Sequence, residues 1–557
     1  MRFSTSIAAL ALGAGAAGAQ SPRFSVTVPA SVHAGALTGR LVIAIAKTAQ
    51  PEPRLALSLR GPLVVAVDLE QVAAGVATGV DAKAVGYPGG LATLPPGDYF
   101  AQAVVNVYEQ VHRSDGKNIW LHMNDGTIEF FSTAEGNLYS DVVPMHVGYG
   151  GVIRLDVSHV IPAAPKLVDT DWVKHVTFQS PMLTKFWGRP IFLHASVLLP
   201  KGYAEHPNVR YPTVYALGHG TTPFSFSTRP PTPPAGAAAG PGPAGGINPN
   251  TGLEGGYATY TAWNGDAFPR VIAITLQQQT PYFPDSYSVN SANNGPYGDA
   301  VTQEMIPFLE EKFRILREPW ARHLEGASTS GWQTLALMLQ HPDMFGGAWV
   351  LQPDPIDFTR YGMVNAYADS NAFSVPLGPF LSTERYFQRT GDGQGLYSTR
   401  QLSLFEDVLG SHGRAAFQLE AWEAVYGPVG EDGYPKPLWN KQTGIIDHSV
   451  ATYMRDHGFD LRAYAEANWP ALGPKVQGKL HFFAGDMDDY WLNLAVYKFE
   501  EFAKRTTNPV SDAEFTYGRP MKGHSWHAWT WAQYVRLVGE ALKAHMPTGE
   551  ESRRWIY

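Results

Sequence analysis

The stretch "HLEGASTSGWQTLALML", His323 to Leu339, carries the decision about the fold. Its first residues form a short apolar run, its middle is small and polar, and its end places apolar residues at helical spacing. That order predicts a buried strand, a tight turn and an amphipathic helix. Ser328 sits at the turn, two residues after Gly326. A serine held on a sharp strand-to-helix turn has its hydroxyl pushed out of the backbone and a free amide beside it. This is the geometry that nucleophilic attack on a carbonyl needs. The spacing G-x-S-x-G is met at Gly326 and Ser328, but Ser330 stands where the second glycine belongs and Gly331 follows one step later. On the motif alone, a plain strand–turn–helix connection explains these residues as well as a nucleophile does.

The surroundings of this stretch predict a parallel sheet. "VTFQS", "IFLHASVLLP", "YPTVYALGH" and "RVIAITLQQ" read as strands, the last two nearly continuous in apolar residues, as in sheets covered on both faces. "DAVTQEMIPFLEEKFRI", "GWQTLALMLQHP" and "WLNLAVYKFEEFAKR" have helical spacing. Strands alternating with helices imply an α/β unit with a mostly parallel sheet wrapped on both sides, assigned to residues 166–557. Residues 223–256 are too rich in Pro, Gly and Ala for a core element and read as a surface insertion.

Residues 20–165 have a different texture. In "RLVIAIAK", Leu41, Ile43 and Ile45 share a face, and Ile153, Leu155 and Val157 alternate with polar neighbours. No amphipathic helix interrupts them, so an antiparallel all-β sandwich of roughly immunoglobulin size is expected. "IPAAPKLVDTD", from Ile161 to Asp171, is the linker out of it. Trp120 and Tyr108 are its candidate exposed aromatics for carbohydrate, set against a purely structural role.

At 557 residues the chain is long enough for two such domains, and its hydrophobic fraction of 44% is that of a folded protein. The formal net charge of −8 argues against nucleic acid or an anionic membrane surface as a partner. The absence of cysteine removes disulfides, thiolate metal sites and cysteine nucleophiles. "MRFSTSIAALALGAGAAGAQ" has an early Arg2, a small apolar run and an Ala17-Gly18-Ala19 ending. It reads as a signal peptide over residues 1–19 cleaved near Ala19, giving a secreted or periplasmic protein. No later run is apolar enough to span a bilayer, so the mature protein is expected to be soluble.

A serine nucleophile needs a base, a group that orients the base, and oxyanion donors, with the acid and then the histidine following in the chain. "KLHFFAGDMDDYWLN" is an apolar strand ending in Asp486, Asp488 and Asp489, and "GRPMKGHSWHAWTW" brings His524 and His527. Gly218-His219-Gly220 ends a strand where amides can turn inward. His527 lies three residues after His524, but no H-E-x-x-H pattern accompanies them, and no metal or other cofactor is expected.

With these words in place, "VLLPKGYAEHPNVRYPTVYALGHG", "GASTSGWQTLALMLQHPDMFGGAWVLQPDPIDF", "GDMDDYWLNLAV" and "GHSWHAW" resemble the esterase D and enterochelin-esterase-like branch of the α/β-hydrolases. Within that branch they look like exported bacterial forms with an extra N-terminal domain. The resemblance implies Ser328 as nucleophile, His524 as general base and Asp488, third after Gly485, as the acid, with Asp486 the alternative. The backbone amides of Thr329 and Thr221 would bind the oxyanion. His219, Trp332, Trp526 and Asp354 are candidate substrate contacts, with turn stabilisation the rival role for Asp354. The expected activity is a serine carboxylic-ester hydrolase acting on a small-molecule or carbohydrate-linked ester. An acyltransferase using the same triad and an inactive hydrolase-fold binding protein are the alternatives.

Overall fold

The computed structural model describes residues 21–123, 130–148, 150–218, 256–549 and 553–557. The proposed signal peptide, His219, Thr221 and residues 223–255 of the insertion lie outside the described residues. Among the described residues no helix is long and apolar enough to cross a membrane.

The N-terminal part is β-rich, as its period-two pattern predicts. A seven-stranded sheet is centred on Leu37–Ala46, flanked by Leu63–Val72 and Gly97–Val107, and a three-stranded sheet holds Arg23–Thr27 at its middle. Phe24, Val26 and Leu155 from the small sheet meet Leu41, Ile43 and Ile45 from the large one in a shared core. Two features depart from the expected antiparallel sandwich. Arg23–Thr27 pairs in parallel with Val152–Asp156, a pairing between the two ends of the β-rich part that local alternation does not encode. The second face of Leu37–Ala46 is not left to solvent either. Val42 and Ala44 pack with Val64 and Val104 against Phe405, Val408 and Leu409 from the C-terminal part.

Beyond Val173 runs an eight-stranded sheet, whose strands are labelled β1 (Val173–Gln179), β2 (Phe192–Leu198), β3 (Thr213–Ala216), β4 (Ile272–Gln277), β5 (Arg322–Ser328), β6 (Gly347–Pro353), β7 (Leu480–Gly485) and β8 (Glu514–Gly518). Their spatial order is β1-β2-β4-β3-β5-β6-β7-β8. β1 and β2 are antiparallel to their neighbours. From β4 through β8 every pairing is parallel. The strand order reverses at β3, next to β5. In open α/β sheets the crevice for ligands opens at the carboxyl ends of the strands flanking that reversal. Ser328 ends β5 and therefore stands there.

The helices that matter for the site are α1 (Thr329–Gln340), α2 (Thr399–Leu409), α3 (Gln418–Tyr426), α4 (Leu461–Val476), α5 (Asn493–Ala503) and α6 (Trp531–His545). α1 follows β5 with no intervening residue and buries Leu335 to Leu339 almost completely. α2, α3 and α4 belong to the long connection between β6 and β7. A side-chain capping box on Ser398 and Gln401 starts α2. Arg40 of the N-terminal part donates to the carbonyls of Asp407 and Val408 at its other end. A guanidinium there satisfies carbonyls that a helix end leaves orphaned and complements the helix dipole.

Candidate active site

Ser328 has φ 61° and ψ −124°, a conformation side-chain-bearing residues rarely adopt. Such strain costs about 1–3 kcal/mol and persists only where the surroundings enforce it. Here they do. The ladder between β5 and β6 shifts register between Ala327 and Ser328, and the amide of Asp354 donates to the Ser328 carbonyl at 3.0 Å. Behind the turn, a Cβ on Gly326 would stand 2.5 Å from the carbonyl carbon and Cβ of Ser330. A Cβ on Gly331 would stand 2.5 Å from the Leu351 oxygen on β6. The two close approaches are thus divided. Gly331 lets the helix touch β6, and Gly326 makes the room that Ser330 occupies. Ser330 itself is buried, and its hydroxyl has no hydrogen-bond partner among the described residues.

Thr329 is the first residue of α1, so its amide points off the helix end with no intrahelical acceptor. The positive end of the α1 dipole adds to its affinity for an anion.

The other two expected members come from the carboxyl ends of β7 and β8. Nδ1 of His524 lies 2.7 Å from Oδ2 of Asp488, whose side chain is fully buried. The second carboxylate oxygen accepts the amides of Tyr490 at 2.9 Å and Leu492 at 3.1 Å. The loop that makes these bonds cannot spare the space of a side chain at Gly485, where a Cβ would meet the carbonyls of Lys522 and, at 2.6 Å, Gly523. Asp486 instead accepts the Lys522 amide at 2.9 Å, which ties the β7 loop to the one carrying His524. Gln352 holds the same loop by donating to the carbonyls of His524 and Trp526. Burial pushes the His524 pKa down, but the charge and hydrogen bond of Asp488, helped by Asp354 and Asp489, outweigh it and leave the pKa above the ordinary histidine value.

Ser328 and His524 line one cavity of about 300 Å³. Asp354 lines it too, at 2% exposure. Its Oδ2 accepts four donors: the Tyr287 hydroxyl at 2.6 Å, the Trp422 indole at 3.0 Å, Thr329 at 3.1 Å and Gln418 at 3.2 Å. Its Oδ1 accepts the Ser328 hydroxyl at 3.3 Å. Tyr287 is held at φ 62°, a second strained non-glycine position in the site. Its phenol is kept protonated by burial and by the charge of Asp354, which raise its pKa well above 10.0.

Two expected contacts stand elsewhere. Trp332 is fully buried in the core, its ring 4.9 Å from Tyr426 and 5.6 Å from Tyr287, because its position on α1 faces inward. Trp526 packs on Gly518 at the end of β8, where a Cβ would come 2.6 Å from its ring. The aromatic wall of the cavity is instead Phe387, Tyr397, Phe417, Trp422 and Tyr490. All but Tyr490 belong to the β6–β7 connection. Tyr490 also meets the His524 ring edge-on at 4.9 Å. Their sequence neighbourhoods show no motif. Only the placement of Tyr490 beside Asp488 was available as a signal.

Residues 192–357 match the family model described as "Putative esterase". The chain is 33% identical over 75 residues to the uncharacterised protein YbbA of Bacillus subtilis (strain 168), which is 13% of this chain and 30% of that protein. It is 23% identical over 252 residues to the endo-1,4-beta-xylanase/feruloyl esterase of Xylanibacter ruminicola, 42% of this chain and 30% of that enzyme. The chain therefore spans less than a third of the length of these two relatives. Among solved structures, a ferulic acid esterase aligns with 67% of this chain and 99% of its own at 14% identity and TM-score 0.30.

Proposed function

We propose that this chain, with its esterase-type segment seated on an α/β-hydrolase sheet, is an exported serine carboxylic-ester hydrolase with Ser328, His524 and Asp488 as its triad. The observation that carries the proposal is the Asp488–His524 contact of 2.7 Å opening into the cavity that Ser328 lines from a strained elbow. In this reading Ser328 Oγ attacks the ester carbonyl while Nε2 of His524 takes its proton. Asp488 holds Nδ1 and the imidazolium that forms. The Thr329 amide receives the oxyanion. One such donor is worth about 10²–10³ in rate. His524 then protonates the leaving alkoxide, and water attacks the acyl-enzyme by the same route in reverse.

The cavity wall supports an aromatic or bulky apolar acyl group. Phe387, Tyr397, Phe417 and Trp422 offer ring faces and edges, and Gln418 is the polar contact among them. A hydroxycinnamoyl ester linked to carbohydrate fits this wall, and feruloyl ester chemistry is named in the Xylanibacter ruminicola relative. A fluorophosphonate probe tests the mechanism directly. The mature protein is expected to be labelled at one site, mapped by peptide mass spectrometry to Ser328. Absence of labelling, or labelling elsewhere, overturns the proposal.

Asp354 adds to the pH response that Asp488 chiefly sets. His524 must be neutral to accept a proton, so activity rises as pH climbs through its pKa, which lies above the ordinary value of about 6.5. Asp354 contributes to that elevation. Asp354→Asn removes its charge, so the acidic limb of kcat/KM against pH is expected to move to lower pH. A limb that stays in place or moves up would show that Asp354 does not act on His524.

A further inference from the structure

A second cavity, of about 340 Å³, opens at the seam between the two parts of the chain. Glu70, Tyr108 and Trp120 enter it from the β-rich part, and His412, Arg414 and Tyr434 from the β6–β7 connection. Two of its wall residues, Gln71 at φ 49° and His412 at φ 58°, are non-glycine residues in the left-handed region. Strain of this kind clusters where a surface has been shaped for something beyond packing. Tyr108, expected to be an exposed aromatic, is instead only 5% exposed, beneath Arg414, and its hydroxyl has no hydrogen-bond partner among the described residues. A buried hydroxyl left unpaired costs about 1–3 kcal/mol.

We propose that this seam cavity binds a neutral oligosaccharide. The donors and acceptors left over on its walls decide the chemistry. Arg414 is committed: it donates to Ser411 and to the Trp120 carbonyl, and it is sandwiched at 4.2 Å from the Tyr108 ring and 4.9 Å from the Tyr434 ring. His412 is engaged with Asp432 at 2.9 Å. Asp68 is partnered by Arg40 and the Ser411 hydroxyl. Glu70 is exposed and pairs with no cation among the described residues. What remains at the surface is a free carboxylate and the partly exposed ring of Trp120, the Tyr108 hydroxyl being sealed beneath them. An anionic ligand would meet Glu70 and Asp68 with no spare cation. A sugar ring supplies hydroxyl donors for the carboxylate and an apolar C–H face for the indole.

The position connects this cavity to the proposed ester chemistry, on which its biological sense rests. One segment lines both cavities: Arg414 faces the seam, and Phe417 and Gln418 face Ser328. Four residues of chain span at most about 14 Å. The segment is fixed at its base, with the Ala415 amide on Glu420 at 2.8 Å and the Leu419 amide on Glu406 at 2.9 Å. A glycan held in the seam is thus kept a few sugar units from the nucleophile, as a decorated polysaccharide would require.

Isothermal titration with ester-free xylohexaose, cellohexaose and mannohexaose tests this without any turnover, and an oligogalacturonate serves as the acidic comparison. At least one neutral oligosaccharide is expected to bind with a dissociation constant between about 10 μM and 1 mM. Glu70→Ala, on the surface and safe for folding, is expected to weaken it about 10-fold. Trp120→Ala is expected to weaken it at least as much. Turnover of p-nitrophenyl acetate should be unchanged in Glu70→Ala. No neutral binding at millimolar concentration, preference for the acidic oligosaccharide, or wild-type binding in Glu70→Ala and Trp120→Ala together would overturn the proposal. Because binding and small-ester turnover are read separately, either can fail without the other.

Discussion

Ser328→Ala is expected to lower kcat/KM for p-nitrophenyl acetate by about 10⁵-fold or more, and Asp488→Asn by about 10⁴-fold. The alanine leaves no atom to attack the carbonyl, so only the oxyanion donors and the cavity still favour the reaction. The asparagine acts more subtly. Its carbonyl oxygen keeps the place that accepts the Tyr490 and Leu492 amides, which turns its NH₂ toward Nδ1 of His524. Nδ1 must then accept, the ring proton moves to Nε2, and the nitrogen proposed as the base can no longer take a proton. Fold and cavity stay intact while the tautomer is wrong. Asp486→Asn, whose carboxylate serves the Lys522 amide, is expected to cost less than about 10-fold, since an amide oxygen accepts that bond as well. The double variant Ser328→Ala/Asp488→Asn should be about as slow as Ser328→Ala alone, because the residues act as one unit. Steady-state rates on variants with wild-type circular dichroism check the series. Collapse in Asp486→Asn with Asp488→Asn spared would displace the acid to Asp486.

The readable parts of the site are those where chemistry and backbone shape coincide in a few adjacent residues. Gly326-Ala327-Ser328 and Gly485 with Asp488 each combine a glycine forced by close backbone approach with a side chain of the proposed triad nearby, while Gly523 before His524 faces only the Asp489 carboxylate. The cavity wall is another matter. Phe387, Tyr397, Phe417 and Trp422 lie in a long connection whose hairpins and helices carry ordinary apolar patterns, and nothing local says that these rings converge on Ser328. Trp332 fails for the converse reason. Proximity to Ser328 along the chain suggests the cavity, but α1 turns that side of the helix into the core against Tyr287 and Tyr426. In the β-rich part the alternation at Leu41, Ile43 and Ile45 correctly marks one buried face. Burial of Val42 and Ala44 depends on α2, more than three hundred residues away, which no window of strand pattern can contain.

Asp354 shows why a pocket carboxylate is hard to assign from sequence. In "QPDPIDF" it has the context of a turn residue. Its role follows from four donors that converge on one oxygen from three separate segments, leaving the other oxygen for Ser328 and the cavity. A buried carboxylate without a cation needs such a set of donors, since each missing one would leave the charge undersolvated. The strained Tyr287 is part of the cost of assembling them.

Gly326→Ala is expected to destabilise the protein by about 3 kcal/mol or more, placing it among the severe overpacking substitutions. The added methyl would stand 2.5 Å from the carbonyl carbon and Cβ of Ser330, and the atoms around it have little freedom. β5 is hydrogen-bonded on both sides, to β3 and β6, so the strand cannot retreat. α1 cannot rise either, because Gly331 holds it against Leu351. Ser330→Gly is the companion test. It removes a buried hydroxyl that has no partner among the described residues and adds the backbone freedom of a helical glycine, opposing effects of about 1 kcal/mol each. Its stability and kcat/KM are therefore expected to stay close to wild type, which would mark Ser330 as an accommodated substitute for the usual glycine. The double variant Gly326→Ala/Ser330→Gly separates the two contacts. It should recover only part of the loss, because the carbonyl of residue 330 remains in the way after the side chain is gone. Thermal inactivation midpoints measure all three. Full recovery in the double variant would mean that the side chain of Ser330, rather than the first turn of the helix, is what requires Gly326.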